Sequence, residues 1–202
     1  MNKLPFSLVL FRLLLAPLMV VWAWGDLRAY FGADWLLLLL LWAGMISDIL
    51  DGIIARYLGV ADDRLRKWDA QVDVIFWLAA GACVWKLNGR LFQAHLYWII
   101  LLFLLEPVSD LINFFKFRKA ACAHNWLSKL WGILLVITFT LFFAGRQPVL
   151  LFRLCLLIGA LSQVDRIIIS SLLPRPECDI PSSYHAYLRK KGRTFKRYKL
   201  FN

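Results

Sequence analysis

An all-α integral membrane fold, a bundle of six transmembrane helices with a polar cavity open to the cytoplasm, is what this sequence predicts, and three observations carry it. The chain is 61% hydrophobic, with ten Trp and fifteen Phe in 202 residues, which is too apolar for a soluble domain. Apolar stretches near 5–25, 34–56, 69–87, 92–117, 126–145 and 148–173 reach the roughly 20 residues that cross a bilayer as helix. They are rich in Leu, Ile and Trp and lack period-two alternation, which argues against a transmembrane barrel.

Taken in order, the first stretch follows Lys3 and carries Arg12 about two turns from its start, with Pro17 set to bend the helix beyond it. It is too long for a signal peptide, and Ala23-Trp24-Gly25 is a poor cleavage site, so a retained first helix is expected. Arg12 has two open readings, snorkelling to the headgroups or an inward phosphate contact. The second stretch is wholly apolar over Leu36–Leu41, turns small at Ala43-Gly44, and is polar from there on. A short connection from Tyr57 to Trp68 alternates in charge sign. The third stretch opens with Asp69 and Asp73, the fourth holds Glu106-Pro107 and Asp110, the fifth begins at Ser128-Lys129, and the sixth has Arg153, Gln163 and Asp165-Arg166.

The net charge of +11 follows the connections, so no nucleic-acid partner is expected. With both ends cytoplasmic, the inner side holds Lys3, Arg64, Arg66, Lys67, Lys116, Arg118, Lys119 and eight Lys or Arg from Arg175 onward. The outer loops hold Arg28, Lys86, Arg90 and Arg146. This positive-inside asymmetry turns the polar ends of the second and third helices to the cytoplasm. Residues 1–174 form the expected transmembrane catalytic domain, and residues 175–202 a basic cytoplasmic tail suited to anionic headgroups. Scattered Cys83, Cys122, Cys155 and Cys178 make no C-x-x-C pair and read as small apolar residues or free thiols.

Four acids hold the chemistry. Asp48 and Asp51 stand three apart and Asp69 and Asp73 four apart, so each pair shares one helix face. Carboxylates side by side at membrane depth require cations, and two divalent ions balance four acids. Oxygen ligation without His or Cys suits hard ions such as Mg²⁺, Mn²⁺ or Ca²⁺ before zinc. Two such ions clamp a phosphoryl group, so phosphoryl transfer is the expected reaction class. Gly52 and Ala55 leave a groove beside the first pair, and Arg56 can fork onto a phosphate or onto an acid.

The pattern D-x-x-D-G-x-x-A-R followed by D-x-x-x-D, at Asp48, Asp51, Gly52, Ala55, Arg56, Asp69 and Asp73, resembles the signature of the CDP-alcohol phosphotransferases. Leu65 stands where that family has Gly. The serine before Asp48 and the opening L-P-F-S-L-V-L-F-R are similar to the phosphatidylglycerophosphate synthase branch, although Ala70 replaces that branch's Pro. The resemblance implies that Asp48, Asp51, Asp69 and Asp73 surround two divalent cations, with Asp73 also the general base. It further implies that Gly52, Ala55 and Arg56 border the nucleotide. An acceptor hydroxyl would attack the β-phosphorus of a CDP-linked lipid donor and expel CMP. Ser128, Lys129 and Arg166 are the candidates for binding an acceptor phosphate or the donor headgroup, and Arg12 for a phosphate contact.

The resemblance also implies a homodimer working among membrane lipids, and the compact chain fits a bacterial inner membrane. The donor is expected to be CDP-diacylglycerol and the acceptor a small hydroxylated or phosphorylated molecule. Two other readings stay open on the sequence: a cation-coupled transporter using the same acids, and a family member that Leu65 has impaired.

Overall fold

The computed structural model describes residues 3–25, 35–58, 63–118, 125–175, 177 and 180–193. Within them the chain is helical: α1 Lys3–Trp24, α2 Trp35–Tyr57, α3 Asp63–Leu87, α4 Gly89–Ala94, α5 Leu96–Phe117, α6 Trp126–Phe143, α7 Val149–Leu172 and α8 Ser183–Lys190. Six of these, α1, α2, α3, α5, α6 and α7, are long and apolar enough to cross a membrane, as the sequence predicts. Two boundaries differ. Helix α3 begins at Asp63, inside the stretch read as a connection, and the fourth apolar run is broken, with α4 ending at Ala94 and α5 starting at Leu96. His95 sits at that break, nearly buried, with its ring Nε2 taking a hydrogen bond from Arg153 Nε at 3.1 Å. A polar side chain satisfied at the break replaces the continuous helix that hydropathy alone suggests.

The chain divides into two compact units, Met1–Phe92 with Phe139–Pro148, and Gln93–Thr138 with Val149–Asn202. In the first unit α1 packs against both α2 and α3. Its inward stripe is Val9, Arg12, Ala16, Met19 and Ala23, all buried, spaced alternately three and four residues. That is the seam of a helix meeting neighbours along its length. Leu14, Leu18 and Val21 lie outward, where hydrocarbon would solvate them. Helix α2 buries Leu37, Leu41, Ser47 and Asp51, and α3 buries Val72, Phe76, Ala80 and Cys83. The acids therefore continue apolar stripes: Asp51 extends that of α2, and Asp69 and Asp73 flank the start of that of α3. At the other end of α3, Lys86 Nζ lies 5.8 Å from the Trp24 ring.

Small residues set how closely these helices approach. A Cβ at Gly44 would collide with the buried Phe76 ring, whereas one at Gly81 meets nothing within 4 Å. Lipid tails are as apolar as Leu, so close packing of this kind takes the place of hydrophobic collapse. Phe139 and Phe143 join the unit edge to face, Phe139 against Trp77 at 5.9 Å between ring centroids.

In the second unit α5 packs on α7, and α7 on α8. Asn113 Nδ2 donates to Ser170 Oγ at 2.6 Å and to Ser109 O at 2.8 Å, while Lys116 Nζ donates to Ser171 O at 2.8 Å and Leu173 O at 2.7 Å. The lysine thereby satisfies carbonyls that the end of α7 leaves open. Ile169, Leu173, Ile180 and Ala186 form a small core that seats α8. Asp165 completes the seat: Oδ1 accepts the Ser183 N–H at 3.0 Å, and Oδ2 accepts from Asn125 Nδ2 at 2.8 Å. Gly192, at φ 71, terminates the helix in the left-handed region. The first part of the basic tail is thus folded onto its unit. Cys83 and Cys155 are free and buried, while Cys122 and Cys178 lie outside the described residues.

Two outcomes are expected. Gly44→Ala should lower the melting temperature of detergent-purified protein by about 3 °C or more through overpacking against Phe76, whereas Gly81→Ala, in open space, should leave it unchanged or raise it slightly. Asp165→Ala should speed tryptic cleavage at Arg189 and Lys190 several-fold in limited proteolysis read by mass spectrometry, because α8 loses the acceptor at its first turn.

Candidate functional site

The site lies wholly within the first unit and is built by α1, α2 and α3. Helix geometry brings Asp48 and Asp51 to one face of α2, and Asp69 and Asp73 to one face of α3. Carboxylate oxygens of Asp48, Asp51 and Asp69 all lie within 4.8 Å of one another. Between them and Asp73 stands the guanidinium of Arg12. Its Nη1 is 2.8 Å from Asp48 Oδ1 and 3.2 Å from Asp69 Oδ1, and it also pairs with Asp73 Oδ1, while Nη2 pairs with Asp51 Oδ2. Arg12 is only 1% exposed, and its Nε is buried without a hydrogen-bond partner among the described residues.

This geometry overturns one of the two readings left open for Arg12. A snorkelling arginine keeps its head in water or headgroups, whereas this one is turned into the unit and shared among four acids. Exposure divides the acids as well. The Asp51 side chain is 6% exposed, against 42% for Asp48, 33% for Asp69 and 34% for Asp73. One acid is therefore the floor of the cluster, and the other three leave it open on one side.

Three convergent carboxylates, with no His or Cys completing the group, are an all-oxygen donor set that suits a hard divalent cation. The donors already draw a cation of the chain itself, since the Arg12 guanidinium reaches each of them. The residues present therefore fit a divalent metal. Gly52 follows Asp51 directly, and a Cβ there would meet nothing within 4 Å. Among the described residues, packing does not demand a glycine here. The backbone of Ala55 and Arg56 belongs to α2, but their side chains, like that of Leu65 in α3, lie outside the described residues.

The remaining candidates belong to the second unit. Ser128 is committed to the start of α6: its N–H is accepted by Asn125 Oδ1 at 2.9 Å and its hydroxyl donates to Asn125 O at 2.7 Å. Lys129 is exposed on the same first turn. Arg166 Nη1 donates to Gln163 Oε1 at 3.1 Å, and its Nε is buried with no partner among the described residues. The organising residue here is Asn125, fully buried and bonded to Ser162, Asp165 and Ser128, which the sequence reading passes over. Its signal was available, since Asn three residues before Ser at the head of an apolar run is a helix N-cap pattern.

Clustered acids on two membrane-capable helices define an integral membrane protein with a candidate cation site. The model of the CDP-alcohol phosphatidyltransferase family matches residues 2–164, which include α1, α2, α3 and every acid of the cluster, and the chain belongs to that family. It is an integral membrane enzyme of phospholipid synthesis that moves a phosphatidyl group from a CDP-alcohol to an alcohol acceptor. No individual curated protein and no solved structure matches the chain.

The open space at Gly52 yields a test. On the expectation that Gly52 borders the nucleotide, Gly52→Ala should keep the wild-type melting temperature to within about 2 °C while raising KM for the CDP-alcohol about tenfold, because the added methyl group would meet substrate and no described protein atom.

Proposed function

We propose that this chain transfers the phosphatidyl group of CDP-diacylglycerol to a small hydroxylated acceptor, releasing CMP, at the cluster of Asp48, Asp51, Asp69 and Asp73. The observation that carries this reading is the 4.8 Å convergence of three carboxylates, with the fourth held beside them through Arg12, inside the span that the family matches. Asp48, Asp51 and Asp69 are the metal ligands, with Asp73 at the edge of the metal site. Two divalent cations, Mg²⁺ or Mn²⁺, would supply charge neutralisation for the donor diphosphate and for the departing CMP.

The chain's own groups perform the rest. Asp73, one turn beyond Asp69 and 34% exposed, takes the proton from the acceptor hydroxyl. The hydroxyl oxygen bonds to the β-phosphorus, and the bond from that phosphorus to the bridging oxygen breaks. The electron pair leaves on CMP. Gly52 leaves room for the nucleotide, which Ala55 and Arg56 border, and the buried Asp51 anchors the cluster from beneath. Lys129 and Arg166 are suited to an acceptor phosphate by charge, as is Ser128 by its position in the same turn as Lys129.

Positive residues at the connections support a cytoplasmic site, where soluble acceptors and divalent ions are available. The tail supports contact with anionic headgroups: Lys190, Lys191 and Arg193 are exposed on and just after α8, beside the exposed Tyr184 and Tyr187.

Purified protein supplied with CDP-diacylglycerol, Mn²⁺ or Mg²⁺ and a panel of acceptors should release CMP, with the product lipid identified by mass spectrometry. Asp69→Asn and Asp73→Asn should each reduce that release about 100-fold or more. A chain that yields no CMP from any CDP-linked donor under either ion is not a transferase. Metal-dependent uptake into vesicles without nucleotide turnover would mark a transporter instead.

A further inference from the structure

A buried arginine that reaches four carboxylates is more than the matching negative charge requires. Sequence places Arg12 in the inward stripe of α1, between Val9 and Ala16, and that stripe faces both acid-bearing helices. The guanidinium is planar and always charged, and it offers several N–H donors in a fixed fork. Nη1 and Nη2 between them contact Asp48, Asp51, Asp69 and Asp73. Three of those acids are the ones whose oxygens lie within 4.8 Å of one another. One cation thus already contacts an oxygen of each acid from which a divalent metal would draw its ligands.

From this we propose that Arg12 is a resident counter-cation of the metal centre, which holds the four acids together and competes with divalent ions for them. The proposal rests on the metal-centre reading above and adds a residue of α1 to it.

Charge counting gives the logic. Four carboxylates and one guanidinium leave a net −3, so Arg12 restrains the acids without neutralising them, and the cluster still attracts divalent ions. Each ion that binds shares these carboxylates with the guanidinium, either displacing its contacts or sitting beside its positive charge, so its affinity is lowered. Asp73, which stands outside the group of three, is the partner left to Arg12 once the other acids are ligated. Arg12 is a positioning residue in this scheme, acting through the carboxylates.

The direct test is Mn²⁺ binding to detergent-purified protein, followed by electron paramagnetic resonance of free Mn²⁺, alongside melting temperatures in EDTA and in saturating Mn²⁺. Arg12→Met removes the charge while keeping an unbranched apolar stem. It should bind Mn²⁺ about tenfold more tightly than wild type, within the usual range for linked ligands. In EDTA it should melt several degrees below wild type, and Mn²⁺ should close most of that gap. Arg12→Lys, one charge without the fork, should fall between the two on both measures.

Wild-type Mn²⁺ affinity in Arg12→Met, or a melting deficit that is equal in EDTA and in Mn²⁺, would overturn the counter-cation role while leaving the metal centre standing. Absence of Mn²⁺ binding in both wild type and Arg12→Met would overturn the metal centre itself, and this proposal with it. Where Arg12→Met does not fold, the comparison moves to Asp51→Asn with and without Arg12→Met. The double variant should melt lower than Asp51→Asn in EDTA and bind Mn²⁺ more tightly. Equality on both measures overturns the proposal.

Discussion

The sharing of one guanidinium by four carboxylates is the interaction on which the first unit depends. An ionised side chain at the centre of a transmembrane helix costs about 3 kcal/mol on insertion scales. The cost is smaller toward the ends of a span, where these five groups lie, but unpaired and apart they would still weigh heavily against a stability of about 5–15 kcal/mol. The helices can carry these residues only if the charges are brought together. That requirement fixes which faces of α1, α2 and α3 turn inward: Arg12, Asp51, and the pair Asp69 and Asp73 can meet only in one rotational setting of the three helices. The apolar contacts continue that setting along the rest of each helix, through Ala16 and Met19, Leu37 and Leu41, and Phe76 and Ala80.

The polar cluster and the apolar seam therefore support each other. Gly44 lets Phe76 sit against α2, which keeps α2 and α3 close enough for their acids to converge. Helix packing in lipid lacks a hydrophobic drive, so such close fit, together with buried hydrogen bonds and ion pairs, is what specifies the arrangement. The second unit uses hydrogen bonds from buried amides and to one carboxylate for the same purpose. Asn125 ties α6 to α7, Asp165 ties the head of α8, and Asn113 links α5 to Ser170.

Much of this was legible in the sequence because lipid imposes a simple code. Hydropathy locates the six long helices, since a span needs length and apolarity and little else. The acids were legible because charge at that depth is rare, and their spacing of three and four fixes a shared face. The inward turn of Arg12 was not legible, because α1 is apolar on every side and a lone arginine near a helix end has a ready alternative in snorkelling. Small residues were the available clue: Ala16 and Ala23 lie on the same stripe as Arg12, as residues at close helix contacts do. The break at His95 was hidden for a related reason. Hydropathy averages over about 19 residues, whereas a helix ends on a single local hydrogen-bond choice, here the bond from Arg153.

Family membership and structure bear on different halves of the chemistry. The family specifies a CDP-alcohol and an acceptor alcohol, and so requires charge stabilisation at a diphosphate. The structure supplies three convergent oxygens, an open side at Gly52, and a fourth acid in contact with Arg12. A donor with a lipid tail must keep its acyl chains among the helices while its diphosphate meets the acids. A cluster near one end of α1, α2 and α3, with hydrocarbon-facing residues such as Leu14, Leu18 and Leu39 farther along the same helices, meets both demands at once. Placing the acids deeper would raise the cost of their charge, and placing them in a loop would lose the rigid spacing that makes them converge. The start of the third span and the last turns of the second are where those two limits meet, and Arg12, two turns into the first, is placed to reach them.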